Sequence, residues 1–476
     1  MTASSHSVDY SRKWYVLLAV SMGVFLATID GSIVNISLPT LVSSLQTDFA
    51  LVQWVVLAYL LTVTTLMLGI GRLADIYGKK PIYTAGFVVF TIGSVLCGLS
   101  PSIHWLIGFR VLQAVGASMI MALGMAIVTE AFPPTERGRA LGMTGTIVSV
   151  GIAVGPTLGG LIVQHLSWHW IFFVNLPIGL LGILLVVRYV PAFKPAGGQR
   201  FDFRGALTLC VSLLSLLVAL TLGQRNGFAD RGVMFLAANW LVFLALFIFI
   251  ELRVDQPMID LRLFRNGLFS VSLGTGFIIF ICLAGTLILM PFYAENVLGY
   301  DPQQTGLLMA TVPVALGVTA PVSGSLSDRY GSRPITVAGL AVLVAGFLAI
   351  STLDAGTTSL GYILRFLPVG LGMGMFQSPN NSAIMGAAPR DRLGVASGML
   401  AMTRTLGQTT GIAVLGALWA GQVFQHAGGL LPGGATSAPV AAQVLAMRDT
   451  FVLVSALIVF ALLLSMWGLA EERKRK

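Results

Sequence analysis

Apolar runs long enough to cross a lipid bilayer recur from one end of the chain to the other. Fourteen are read, at residues 14–38, 49–72, 81–99, 103–128, 138–163, 168–189, 205–223, 232–252, 268–293, 303–326, 334–352, 360–385, 394–418 and 449–470. A helix rises about 1.5 Å per residue and the hydrocarbon layer is about 30 Å thick, so about 20 residues make one crossing. Inside lipid the backbone must satisfy its own hydrogen bonds, which makes each run an α-helix. The first run is not read as a cleaved leader, because it is too long, lacks a small-residue cleavage site and contains Asp30.

The polar positions between the runs repeat. GRLADIYGKKP at 71–81 returns as GSLSDRYGSRP at 324–334, which aligns Asp75 with Asp328 at an offset of 253 residues. PPTERGRALGM at 133–143 resembles APRDRLGVASGM at 388–399, and Gly151 and Gly155 align with Gly407 and Gly411 at an offset of 256. A nearly constant offset implies two homologous bundles of six helices. The expected fold is an all-α polytopic membrane protein arranged 6+2+6. Residues 1–192 form the first bundle, 193–262 a linker carrying two inserted helices, and 263–476 the second bundle.

Composition narrows the function. Only 10% of the 476 residues are charged against about 25% in soluble domains, too few to cover a soluble surface of this size. A net charge of +9 alone would fit a nucleic-acid partner, but the placement of the basic residues explains it otherwise. With the N-terminus inside, 22 of the 28 Lys and Arg residues fall in cytoplasmic segments and 3 in outer loops. That bias expects both termini in the cytoplasm, basic flanks against lipid headgroups, and no nucleic-acid partner. The three remaining, Arg110, Arg365 and Arg404, lie within spans. Cys97, Cys210 and Cys282 are dispersed in apolar runs and make no metal or disulfide pattern. No Walker string, HExxH or buried Ser-His-Asp set is present, so neither an ATPase nor a membrane enzyme is expected.

With these motifs in order, the sequence resembles the major facilitator superfamily in its fourteen-span drug:proton antiporter branch, the EmrB/QacA type. GRLADIYGKK is similar to the loop motif after the second span, and RVLQAVGA (110–117) to the fourth-span motif, with Ala114 where Gly is usual. GIAVGPTLGG (151–160) matches the fifth-span antiporter motif in full. DGSIVNISLP (30–39) and WHWIFFVNLPIG (168–179) are close to branch signatures, with Gly31, Ser37 and His169 as departures. The resemblance implies a secondary active exporter of lipophilic or amphipathic compounds, driven by protons, as in multidrug efflux and antibiotic resistance. The alternative is a dedicated proton-coupled exporter of one metabolite or lipid. It implies residence in the plasma (inner) membrane, no cofactor, no metal and a monomer, with an envelope partner left open.

The residues offer the chemistry. Asp30 is the one acid well inside a span, and an ionisable group there is functional by default. Arg110 lies at a similar depth. Burial and a nearby guanidinium oppose each other in their effect on a carboxyl proton, which suits a proton-coupling pair. The alternative is a permanent structural ion pair. The resemblance implies that Gly71, Asp75, Gly78 and Lys79, repeated as Gly324, Asp328, Arg329 and Gly331, form a conformational latch. Their plainer reading is a tight turn with a local salt bridge. Gly151, Gly155, Gly159 and Gly160 largely share a helix face beside the bending Pro156, which suits gating or simple close packing. Asn35, Tyr59, Gln113, Met119, Gln377, Asn381, Arg404 and Gln408 are candidates for the substrate cavity. Arg404 and its polar neighbours serve equally well to bond carbonyls freed at Pro368 and Pro379. Histidines 104, 165, 169 and 426 are expected at the outer surface and His6 in the tail. Residues 419–448 read as an outer loop with a short helix near 438–447, and the inserted pair is assigned no transport role.

Overall fold

The computed structural model describes residues 12–133, 136–192, 202–254, 264–387, 393–429, 431 and 433–475. Among them there are helices and no strand. In chain order they are α1 Lys13–Ser44, α2 Phe49–Val52, α3 Trp54–Tyr77, α4 Lys79–Gly98, α5 Ile103–Ala131, α6 Arg137–His165, α7 Trp170–Phe173, α8 Asn175–Tyr189, α9 Phe203–Asn226, α10 Arg231–Glu251, α11 Gly267–Phe292, α12 Pro302–Met309, α13 Thr311–Tyr330, α14 Ser332–Ile350, α15 Ser359–Ala387, α16 Leu393–Ala427 and α17 Val440–Arg475. A π-helical turn, Tyr293–Val297, continues α11. Thirteen of the described segments are long and apolar enough to cross a membrane. The 35-residue α16 makes a fourteenth long helix. Its run Arg404–Thr410 carries Arg404, Thr405, Gln408, Thr409 and Thr410, which makes it more polar than the rest.

Two boundaries differ from the expectation. Residues 440–447 are the first turns of α17, and α16 runs on to Ala427, so the connection between them is much shorter than 419–448. The physical reason is packing: Ala442, Ala446 and Met447 are buried, and VAAQVLAM contains no helix breaker. Both expected domain boundaries, 192/193 and 262/263, adjoin or fall in segments outside the described residues.

Helix starts in the connections are capped by acids and amides. Asp48, Asp202, Asp230, Asn266 and Asp301 each accept from a backbone N–H of the first turn. Inside the spans, hydroxyls find acceptors in their own helix. Thr28, Thr62, Thr65 and Thr91 donate to the carbonyl four residues back, which spares lipid-depth groups from going unpaired.

The packing pattern repeats. α1 lies against α6 and α8, α3 against α5, and α4 against α5 and α8. Likewise α11 lies against α16 and α17, α13 against α15, and α14 against α15 and α17. α9 touches both sets, through α3 and α16, and pairs with α10. With α16 counted, the described residues hold fourteen long helical segments, an even number that puts the start of α1 and the end of α17 at one face, called here the termini face, with the far face opposite. Gly78 and Gly331, which end α3 and α13 there, have φ of 92° and 87°. With ψ of 148° and 154° this backbone is essentially restricted to glycine, so the repeated motif encodes the same sharp turn twice.

Candidate functional site

Asp30 of α1 is fully buried and every donor around it is supplied by another helix. Arg110 of α5 places its NH1 2.6 Å from Oδ2. The Nε2 amide of Gln113, one turn on, donates to Oδ1 at 2.8 Å, and Nδ2 of Asn175 at the start of α8 donates to the same oxygen at 2.9 Å. Arg110 also donates from NH1 to Gln113 Oε1 at 2.7 Å and from Nε to the Val55 carbonyl of α3 at 2.9 Å. Its guanidinium lies 4.2 Å from the centroid of the Tyr59 ring. Asn175 donates further to Ser94 Oγ at 3.0 Å, and Ser94 to the Phe172 carbonyl at 2.8 Å. The network thus joins α1, α3, α4, α5, α7 and α8.

Local sequence makes this possible. A Cβ at Gly93 would stand 2.6 Å from Gln113 Cα, so glycine lets α4 and α5 close on the network. A carboxylate with three charge-matched or amide donors is well stabilised away from water, whereas one left alone would not be. The charge on Asp30 is thus compensated by an arrangement spread over six helices.

The glycines of GIAVGPTLGG divide their work. Gly151, Gly155 and Gly159 face α1, where a Cβ would collide with Thr28, Ser32 and Ile33. Gly160 faces the other half: its missing side chain makes room for the Pro302 carbonyl of α12, and Gly306 of α12 makes room for the Pro156 carbonyl. Among the described residues, close contacts between the halves lie at this far face, opposite the termini face. His165 lies 3.1 Å from Gln303, and the Phe49 ring meets those of Phe292 and Trp419, each at 4.9 Å between centroids. Gly416 leaves room for Gln53. Nearer mid-membrane, a Cβ at Gly31 of α1 or Gly274 of α11 would meet no atom within 4 Å.

Other expected residues are dispersed. Tyr59 and Gln113 belong to the ion-pair network, and Met119 packs against Gly86 between α4 and α5. Asn35 is half-buried, with its Oδ1 unpartnered. Gln377, Asn381, Arg404 and Gln408 are half-buried on α15 and α16. Pro368 and Pro379 lie inside α15, yet Arg365 bonds Thr352 Oγ1 and the Gly361 carbonyl, both at 3.0 Å, and Arg404 lies 5.5 Å from the Phe280 ring centroid. At the termini face Lys79 pairs with Glu130 and Lys13 with Glu136 at 2.7 Å, all within the first half. Arg329 and Gly324 are exposed and half-buried respectively. The side chains of Asp75 and Asp328 and the surroundings of Gly71 lie outside the described residues. His165 and His426 lie at the far face, His426 2.8 Å from Asp449. Burial lowers the pKa of the His169 imidazole from its ordinary value.

Asn175 and Ser94 escaped sequence reasoning as site residues. Asn175 does carry a signal, a lone amide within the apolar string WHWIFFVNLPIG. Ser94 has none, since a serine in a span normally bonds its own helix.

Comparison with known proteins accords with this architecture. Residues 20–412 match the Major Facilitator Superfamily. The riboflavin transporter RibZ of Clostridioides difficile is 36% identical over 412 residues, covering 86% of this chain and 89% of that protein. The multidrug resistance protein Stp of Mycobacterium tuberculosis is 35% identical, covering 85% and 75%. The multidrug transporter MdtP of Bacillus subtilis is 30% identical, covering 86% and 75%. Among solved structures, a bacterial homologue of the lysosomal transporter Spinster, in an inward-facing unoccupied conformation, superposes with a TM-score of 0.68 at 17% identity over 97% of both chains. The chain is a multi-pass membrane protein that belongs to the major facilitator superfamily of transporters.

Proposed function

We propose that this chain is a proton-coupled exporter of amphipathic small molecules, of the fourteen-span drug:proton antiporter branch. In this reading it lies in the plasma membrane with both termini in the cytoplasm. Residues 1–192 and 263–476 are the two bundles that rock, and 193–262 carry the inserted pair. The observation that carries the proposal is the sealed Asp30–Arg110–Gln113–Asn175 network. An acid at membrane depth is costly to keep, and its donors come from two other helices of the first bundle, α5 and α8. The far-face closure at Gly160, Gly306 and Phe49 supports alternating access, with this structure closed on that side.

The cycle follows from those contacts. With Asp30 ionised, Arg110 is held and α1, α5 and α8 are locked together. A proton on Asp30 removes its charge and frees Arg110, which keeps its bond to Val55 and its place over Tyr59. The guanidinium thereby stays with α3 and α5 while α1 is released. The test is Asp30→Asn in proteoliposomes. pH-driven uphill export should vanish while downhill exchange persists, since exchange needs alternation without net proton movement. Intact uphill export by the folded variant would move the coupling to another carboxylate, with Glu130 and Glu295 next.

One observation favours the second reading, a carrier dedicated to one metabolite: a relative at 36% identity is named a riboflavin transporter. A substrate screen in the same vesicles separates the two.

A further inference from the structure

Arg404 is a cation in the wrong place for a structural role. It lies 11 residues into α16, about 17 Å along the helix from its termini-face end. It is half-buried, and among the described residues it has no acidic partner and no hydrogen-bond acceptor. Its guanidinium lies 5.5 Å from the centroid of the buried Phe280 ring on α11. The other Arg side chains well inside spans are accounted for: Arg110 is held by Asp30, and Arg365 by Thr352 and Gly361. A lone guanidinium at such depth is expensive, and proteins keep one where a ligand or a pathway needs it.

The surroundings fit a ligand. Gly407 and Gly411 bring α16 against the Phe277 and Ile281 backbone of α11, so Arg404 sits on the side of α16 that meets α11. On α11 itself Gly274 faces open space, as does Gly31 on α1. Gln408, one turn beyond Arg404, adds an amide to the same side of the helix. The charge balance is one-sided. Asp30, the acid at membrane depth, is fully engaged and carries no accessible surface. Glu295 has a carboxylate oxygen without a partner, but it lies in the π-helical turn at the far face, beyond the closed contacts. Mid-membrane the path therefore offers a positive charge and an aromatic face, and no free negative charge.

We propose that Arg404, backed by Phe280, is an anion-recognition site in the transport path, so that this chain prefers flat apolar compounds bearing a negative group over cationic ones. The proposal rests on the exporter reading and names its substrate class. A guanidinium gives such a group a forked pair of N–H donors, while the ring beneath it adds apolar contact for the body of the compound. A cationic compound of the same shape would meet uncompensated repulsion from Arg404 at the same point.

The experiment uses two dyes with one xanthene body, anionic fluorescein and cationic rhodamine 123, bound to the purified full-length chain and followed by fluorescence anisotropy. Fluorescein should bind about tenfold or more tightly than rhodamine 123, the worth of a charge-assisted hydrogen bond. Arg404→Gln should bring the ratio close to one, and Arg404→Lys, which keeps the charge but loses the fork, should retain part of it. Gel filtration of each variant checks that it is folded, and the wild-type ratio stands by itself if a variant is not. Equal binding, a preference for rhodamine 123, binding of neither dye, or a ratio unchanged in folded Arg404→Gln overturns the anion site. The same chain in vesicles separates the two claims. Arg404-dependent binding of fluorescein without its movement under a pH gradient overturns the exporter reading and leaves the anion site standing.

Discussion

The two halves share a scaffold but treat charge in opposite ways. Arg110 and Arg365 occupy matching places, seven and six residues into α5 and α15. Arg110 finds Asp30 across the bundle and disappears from solvent. Arg365 finds only neutral oxygens, Thr352 Oγ1 and the Gly361 carbonyl, and stays half-exposed. The difference lies in the facing helix. The stretch of α11 that matches the Asp30 region, Gly276–Thr286, contains no acid. Where Gln113 follows Arg110 by three residues, Pro368 follows Arg365. The two halves thus differ in that one holds an acid against this arginine and the other offers it only neutral oxygens. The unpaired cation of the second half, Arg404, sits on a different helix altogether. In the proposed reading the first half holds the proton and the second meets the solute.

The sharpest way to break this contrast is to remove one arginine at a time. Arg110→Met should destabilise the protein by about 3–5 kcal/mol, because it strands Asp30 buried and unpaired. Adding Asp30→Leu to that variant should recover a large part of the loss, since a matched apolar pair needs no compensation. Thermal unfolding in one detergent measures both, and a double variant no better than the single would mean that packing, not charge, holds α1 to α5.

A second comparison tests where the halves are alike. Gly78→Ala and Gly331→Ala should each cost about 1–3 kcal/mol, because both put a Cβ on a backbone with positive φ. The Gly331 site has room for a Cβ, its nearest atom being Pro334 Cδ at 3.9 Å, so the penalty there is conformational. Very unequal losses in the same unfolding assay would show that the turn serves only one half.

The smallest effect belongs to the second half's own arginine. Arg365→Gln should lower stability by about 1 kcal/mol or less, since it gives up half-exposed hydrogen bonds to neutral partners and leaves no buried charge behind. A loss as large as that of Arg110→Met would erase the asymmetry.

Much of this was legible in the chain itself. Span number and helical state follow from apolar runs, because lipid permits little else. The duplication follows from the return of GRLADIYGKKP as GSLSDRYGSRP, and its glycines recur as turns of nearly equal φ. Asp30 and Arg110 announced themselves as charges at similar depth. The end of α16 and the start of α17 did not, because nothing local shows that the helix expected near 438–447 runs on into the last span; the packing that buries Ala442, Ala446 and Met447 decides it.

What the sequence by itself determined is therefore the set of elements and the chemical types available to them. A hydrophobic span and a buried acid are properties of single segments and carry a cost that shows in composition. Only the tertiary structure decided the partners. It brought Asn175 from α8 and Ser94 from α4 to Asp30, gave Gly160 a neighbour in the opposite half while Gly155 turned to α1, and left Arg404 with a ring instead of an acid. The physical reason is that hydrogen bonds and close backbone contacts reach only a few ångströms. Which groups come within that reach is set by how helices far apart in the chain pack together, and no local pattern records it.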